Sequence, residues 1–193
     1  MFSLKNSSGR HRVGFTLLEM LIVLAILAIL TPIIYSFAGR LTARQQLEEG
    51  SQNLAQALSD ARSAARKSSR DSFVRVDFNT GKSVYRVRIC QSVPTIPASG
   101  PSPAVPGILS AADCDSKSAW KDTDLPNSIQ VFQLTPSAVN VATGAVDLTY
   151  SAPYSRTNLG DLRFQVRSKN YPDLVSNVNV LGVTGKVIKL DRL

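Results

Sequence analysis

The sequence predicts an α+β protein in which a long N-terminal helix, first membrane-spanning and then amphipathic, packs on an antiparallel β domain. Three observations lead there. Residues 20–39 hold no acid or base except the phenol of Tyr35. Apolar positions then recur at helical spacing to about residue 70, and from Phe73 the period drops to two. At 193 residues the chain suits one domain plus one accessory element.

The composition narrows function by exclusion. There are 22 basic residues against 14 acidic ones, a formal charge of +8, and the single histidine is His11. One N-terminal imidazole builds neither a Ser-His-Asp or Cys-His nucleophile system nor a histidine-rich metal centre, and two cysteines exclude a four-thiolate zinc site. No phosphate loop or dinucleotide fingerprint is present. The chain is expected to be a binding or structural protein, not an enzyme, with no cofactor and no metal.

The first element is the apolar run. About 20 residues at ~1.5 Å each match a ~30 Å hydrocarbon layer. Lys5, Arg10 and Arg12 precede it and no acid comes before Glu19, so the positive-inside rule keeps the short N-terminus in the cytoplasm and sends the rest across. Glu19 is misplaced in such a run. An intramembrane carboxylate costs roughly 3 kcal/mol at a helix centre, less near an end, and the helix's own N-terminus offers only partial relief. A signal peptide cleaved after Ala38, at Ser36-Phe37-Ala38, and a plain anchor are the alternatives. A plain anchor leaves the carboxylate unexplained, and the run is long for a signal peptide.

The stretch Gly14-Phe15-Thr16-Leu17-Leu18-Glu19-Met20-Leu21-Ile22-Val23-Leu24 resembles the class III signal of type IV pilins and type II secretion pseudopilins. The parts that match are a short basic leader, glycine, phenylalanine, glutamate as the fifth mature residue, and the apolar run. The resemblance implies the pilin fold and a leader over residues 1–14, removed by prepilin peptidase between Gly14 and Phe15, with N-methylation of Phe15. It implies that Glu19 acts in filament assembly by pairing with the N-terminal amine of a neighbouring subunit. Two opposite charges buried together offset each other's desolvation, whereas either alone does not. The implied partners are prepilin peptidase, other pilin or pseudopilin subunits and an inner-membrane assembly platform. The implied location is the inner membrane, single-pass, and then a pilus or pseudopilus. Pro32 departs from the family's usual proline position and is expected to kink or loosen the helix.

Without residues 1–14 the chain loses Lys5, Arg10 and Arg12 and keeps 19 basic against 14 acidic residues, a charge of +5. Residues 15–39 form the transmembrane or filament-core helix in this reading, and 40–70 its amphipathic continuation. Leu47, Leu54, Leu58, Ala61 and Ala65 fall near one face, and alanine, glutamine, glutamate and arginine favour helix. Arg62, Arg66 and Arg70, with Lys67 beside them, form a stripe that reads as a solvated helix face or as a seat for an anionic partner.

Residues 71–193 form the expected extracytoplasmic β domain. Val74, Val76 and Phe78 alternate with Arg75 and Asp77, Asn79-Thr80-Gly81-Lys82 makes a turn, and Tyr85, Val87 and Ile89 alternate with Arg86 and Arg88. That is a hairpin with a basic outer face. Further strands are expected at 128–134, 145–150, 162–167, 175–181 and 187–190, in a sandwich-like domain. Residues 91–118, with five prolines, read as a long surface loop. In an extracytoplasmic domain, a disulfide between Cys90 and Cys114 closing this loop is the natural use of two thiols, with two buried unpaired cysteines as the alternative. Asp113, Asp115, Asp122 and Asp124 surround Trp120 in sequence; they suit a solvated turn or a calcium ion, although no EF-hand spacing is present.

The tail, Val178-Asn179-Val180-Leu181 through Gly182-Val183-Thr184-Gly185 to Lys186-Val187-Ile188-Lys189, resembles the closing hairpin of GspH/FimT-like minor subunits. Leu54-Ala55-Gln56-Ala57-Leu58-Ser59-Asp60-Ala61-Arg62 is similar to the helix before their first strand. The resemblance leads to a minor pilin or pseudopilin of a type IV pilus or type II secretion system. The alternative is a DNA-binding, FimT-like pilus subunit for transformation, with Lys186, Lys189 and Arg192 as the candidate DNA contacts.

Overall fold

The computed structural model describes residues 16–94, 107–108, 110–135 and 139–191, without the side chains of 33–37, 139–140 and 191. The leader, Gly14 and Phe15, Arg192, and residues 95–106 and 109 of the proline-rich stretch lie outside the described residues. The chain divides into two compact units, Met1–Arg40 and Leu41–Leu193.

Helix α1 spans Leu17–Ser68. In the first unit it opens on Thr16, whose Oγ1 accepts from the Glu19 N–H at 3.2 Å and whose carbonyl accepts from Met20 N–H at 3.2 Å. A threonine three residues before a glutamate is the spacing of a capping box, so the helix has a built start. Pro32 removes one donor from the ladder, yet lies inside α1 and does not end it. Among the described residues no helix is long and apolar enough to cross a membrane. The described apolar side chains from Leu17 to Pro32 cover about 24 Å at the α-helical rise.

In the second unit α1 presents the expected stripe. Leu47, Leu54, Leu58, Ala61 and Ala65 are all buried in one core cluster. Helix and sheet approach so closely at Gly50 that a Cβ there would lie 2.4 Å from Ile129 Cδ1, which is why a helix-weakening residue stands at this point.

The strands form two antiparallel sheets. The first has the order β3-β2-β1-β6-β7, where β1 is Ser72–Asn79, β2 Val84–Gln91, β3 Lys121–Asp124, β6 Val146–Ser151 and β7 Arg156–Thr157. The second runs β10-β9-β8-β4-β5, with β4 Ile129–Thr135, β5 Val139–Asn140, β8 Leu162–Ser168, β9 Val175–Val180 and β10 Val187–Asp191. Inward side chains of both sheets, Val74, Val87, Tyr150, Val131, Phe164 and Val178 among them, join the helix stripe in the same cluster. The hairpin of β1 and β2 pairs in the register its alternation requires, Val76 opposite Val87 and Phe78 opposite Tyr85.

Three strands and one helix depart from the sequence expectation. The two-residue strands β5 and β7 carry no periodic signal. Strand β3, Lys-Asp-Thr-Asp, has no apolar alternation; it is held at the sheet edge because Asp122 and Asp124 stand opposite Arg88 and Arg86. Helix α2, Ala111–Ser116, lies inside the stretch read as loop and starts with a capping box between Ser110 and Asp113.

Candidate functional site

Glu19 sits in the first turn of α1, where the helix dipole contributes about 0.3–1 kcal/mol. That is less than the roughly 3 kcal/mol a carboxylate costs in hydrocarbon. Its carboxylate is exposed and has no partner among the described residues. Leu17, Leu18, Met20, Leu21 and the apolar residues that follow to Leu30 are exposed as well. One anion without a partner among the described residues thus stands on an exposed apolar surface.

The face of the hairpin opposite the core is not a free basic surface, which corrects that expectation. Arg75 binds Asp147 through Nε and Nη2 at 2.6 and 2.9 Å and Asp115 through Nη1 at 2.8 Å. Arg86 binds Asp77 at 2.6 Å and Arg88 binds Asp122 at 3.2 Å. The Arg75 guanidinium, bonded first of all to Asp147, is held even more firmly protonated than usual, and so is Arg86 by Asp77. A bidentate network of this kind is worth more than isolated surface pairs.

Trp120 lies with its ring centre 5.2 Å from both the Arg75 and Arg88 guanidiniums and donates its indole N–H to Asp115 at 2.8 Å. That bond, with Arg75, pulls the Asp115 carboxyl below its ordinary value. Cys90 and Cys114 are joined, with Cα atoms 6.3 Å apart, and with Phe73 they make a second small core under α2. The four aspartates around Trp120 therefore diverge: Asp113 caps α2, Asp115 and Asp122 meet arginines, and Asp124 meets Lys82 at 2.8 Å. Among the described residues no three metal-ligating side chains gather.

At the far end, Arg62 Nε donates to the Thr184 carbonyl at 3.0 Å, and Ser155 Oγ donates to the Arg62 carbonyl at 3.2 Å. The helix is thus tied to the turn between β9 and β10. Of the stripe, Arg66, Lys67 and Arg70 stay exposed. Of the candidate DNA contacts, Lys186 is exposed and Lys189 is bound to Glu48 on α1, so the two do not form one basic patch. A surface depression of about 470 Å³ runs beside Leu41, Arg44, Glu48 and Gln52, without a nucleophile and base converging on it.

Trp120 and Asp115 carry no periodic signal, and the arginines they meet, Arg75 and Arg88, lie 27 to 45 positions away along the chain. The ties of Arg62 to Thr184 and Lys189 to Glu48 span 122 and 141 positions, beyond any periodic signal.

Residues 10–31 match the family model described as the prokaryotic N-terminal methylation motif. The match includes the Gly14–Phe15 junction and Glu19. Among solved structures, the chain is similar to the type IV minor pilin FimU of Pseudomonas aeruginosa strain PAO1, with 15% identity, 79% of this chain and 92% of that chain covered, and a TM-score of 0.45. No curated protein matches the chain.

Proposed function

We propose that this chain is a minor pilin or pseudopilin, cut by prepilin peptidase after Gly14, methylated at Phe15 and assembled through its N-terminal helix into a type IV pilus or type II secretion pseudopilus. The observation that carries this reading is the methylation motif over residues 10–31. The exposed apolar surface around an unpartnered Glu19 supports it, because bundling such helices buries the apolar side chains and leaves the carboxylate in need of a cation. The methylated amine of Phe15 in a neighbouring subunit is that cation. A subunit stacked out of register leaves both charges unpaired, so the pair sets register as well as contributing attraction.

Before assembly the chain is held in the inner membrane by residues 15–39, with residues 1–14 on the cytoplasmic side and 71–193 outside. Its partners are the peptidase, the assembly platform and other subunits, and its role is structural. The DNA-binding alternative draws less support, since Lys189 is engaged by Glu48.

The test is intact mass and N-terminal sequencing of the chain expressed with and without prepilin peptidase. A peptidase-dependent N-terminus at Phe15, heavier by one methyl group, is expected. An unprocessed chain, or cleavage after Ala38, overturns the proposal.

A further inference from the structure

Two turns of the second unit meet at the C-terminal end of α1. Residues 152–155 join β6 to β7, and residues 181–186 join β9 to β10. They are packed so closely that a Cβ on Gly185 would lie 2.1 Å from the Ser155 carbonyl oxygen. Both are fastened to the helix and its end: Ser155 Oγ donates to the Arg62 carbonyl, Arg62 Nε donates to the Thr184 carbonyl, and the Ala152 N–H donates to Asp71 Oδ1 at 2.9 Å. Ser155 holds a φ of +58°, a left-handed backbone that a serine adopts only at a cost.

What this fastened pair of turns lifts into solvent is apolar. Tyr154 is 81% exposed and Val183 73%, more than any other large apolar residue described in Leu41–Leu193. A plain turn is served by small polar residues. Cations flank the two: Arg66 lies one helical turn beyond Arg62, Arg70 precedes Asp71, and Arg156 follows Ser155. All three are exposed, and none meets a carboxylate among the described residues. Asp71 and Asp161, the acids that touch the turns, are engaged by the Ala152 and Gly182 N–H groups. Tyrosine and arginine are the residue types that anchor protein interfaces.

The complement is a recess for an aromatic ring with a carboxylate beside it, and the same unit carries one. The depression of about 470 Å³ on the earlier part of α1 is lined by Leu41, Gln45, Glu49 and Gln52, with Arg44 and Glu48 beside them. Glu48 is taken by Lys189, whereas Glu49 is exposed and has no partner among the described residues. A buried phenol needs a hydrogen-bond partner, and the two glutamine amides offer it. Glu49 and Arg66 lie 17 positions apart on α1, about 26 Å at the helical rise. The knob therefore cannot enter the depression of its own chain. Entry into the next copy leaves each end of the pair with a free knob or a free depression, so the contact is heterologous and open-ended.

We propose that Tyr154 and Val183 of one copy seat in the depression beside Leu41 and Glu49 of a second copy of this chain, with Arg66 and Arg70 facing Glu49. Two turns bury far less than the roughly 800 Å² per partner of a stable interface, so the contact is weak singly and gains by repetition along a series. The inference goes beyond the bundling of N-terminal helices and concerns Leu41–Leu193 alone.

The test is photo-cross-linking, which captures weak contacts, in the detergent-solubilised full chain with Tyr154 replaced by p-benzoylphenylalanine and mixed with an isotope-labelled parent chain. Mass spectrometry should place the cross-link within residues 41–53 of the labelled copy. Its yield should fall with salt and several-fold in Glu49→Lys, recover when Arg66→Glu/Arg70→Glu is added to the unlabelled chain, and rise in Arg44→Gln. Far-ultraviolet circular dichroism checks that each chain is folded, and the photoreactive residue moves to Val183 if its place at 154 is not tolerated. Prepilin peptidase plays no part in the readout, so the outcome is separate from that of the processing test. The absence of a cross-link between copies overturns the proposal, as does one that lands on the partner's own 152–155 turn or elsewhere outside 41–53. Yield indifferent to Glu49→Lys overturns it too. So does loss of the cross-link to an added duplex oligonucleotide, which assigns the knob and its arginines to phosphates.

Discussion

Trp120 donates its indole N–H to Asp115 Oδ1 at 2.8 Å. The bond closes a small assembly in which α2 and Trp120 cover the arginine face of the hairpin, and the disulfide between Cys90 and Cys114 holds that cover down. The cover has its own small core, separate from the main one.

Reduction of the disulfide should therefore loosen this cover before the rest of the domain. Trp120 is the only tryptophan, so its fluorescence reports on the cover alone, and a red shift on reduction is expected. The chain-entropy model for a link of 24 positions gives a stability loss of about 3 kcal/mol. For a chain of this size that is about 10 °C in Tm, measurable by calorimetry of Cys90→Ser/Cys114→Ser. Unchanged emission after complete reduction would show that the cover is held by the ion pairs instead.

Acid should open the same cover in a defined window. The bond from Trp120, and then Arg75, lowers the Asp115 carboxyl in the folded state. A group with a depressed folded value contributes stability above its unfolded value near 3.9 and loses it as pH falls through the folded one. Trp120 emission should be flat from about pH 5 to 8 and shift only below about pH 4. Asp115→Asn keeps an acceptor for the indole and loses the charge, so its acid transition should be weaker than the parent's. Identical titrations would remove Asp115 from the account.

Alkali should act through Tyr150. Its side chain is fully buried, its hydroxyl has no partner among the described residues, and burial pushes the phenol well above its ordinary value. Here the raised folded value means that stability is intact below the unfolded value near 10 and is lost as pH climbs past it. Absorbance at 295 nm should show two tyrosines ionising cooperatively with unfolding, Tyr150 and the likewise buried Tyr85, whose phenol burial also raises. Tyr150→Phe keeps the ring and removes an unsatisfied hydroxyl, so it should be neutral or stabilising by up to about 1 kcal/mol. A marked drop in Tm would mean that the hydroxyl is bonded after all.

Periodicity carried the architecture: the stripe from Leu47 to Ala65 and the alternation on either side of Gly81 correspond to buried faces. Where burial does not drive an element, the sequence is silent. Strand β3 is held by charge pairs across the strand, and α2 by a capping box and a disulfide. The hairpin's outer face looked basic because, Asp77 apart, its neutralising acids, Asp115, Asp122 and Asp147, lie far along the chain.

The turn from Gly182 to Gly185 combines both kinds of constraint, and Gly185 is where they meet. Its φ is +61°, in the left-handed region, and a Cβ there would lie 2.1 Å from the Ser155 carbonyl oxygen and 2.9 Å from Tyr150 Cε1. Left-handed geometry costs a non-glycine residue about 1–2 kcal/mol, and the clash is with backbone that cannot rotate away. Ser155 also donates to the Arg62 carbonyl, so displacing it loosens the tie between helix and tail. Gly185→Ala should thus destabilise by more than 2 kcal/mol, the upper end of the conformational cost alone. Gly81→Ala is the control, since its nearest neighbour, Asn79 Oδ1, stands at an ordinary 3.5 Å and its φ is unremarkable. Thermal unfolding of the two variants side by side checks the argument; equal effects would mean that the turn yields, and that Arg62 and Ser155 do not anchor it.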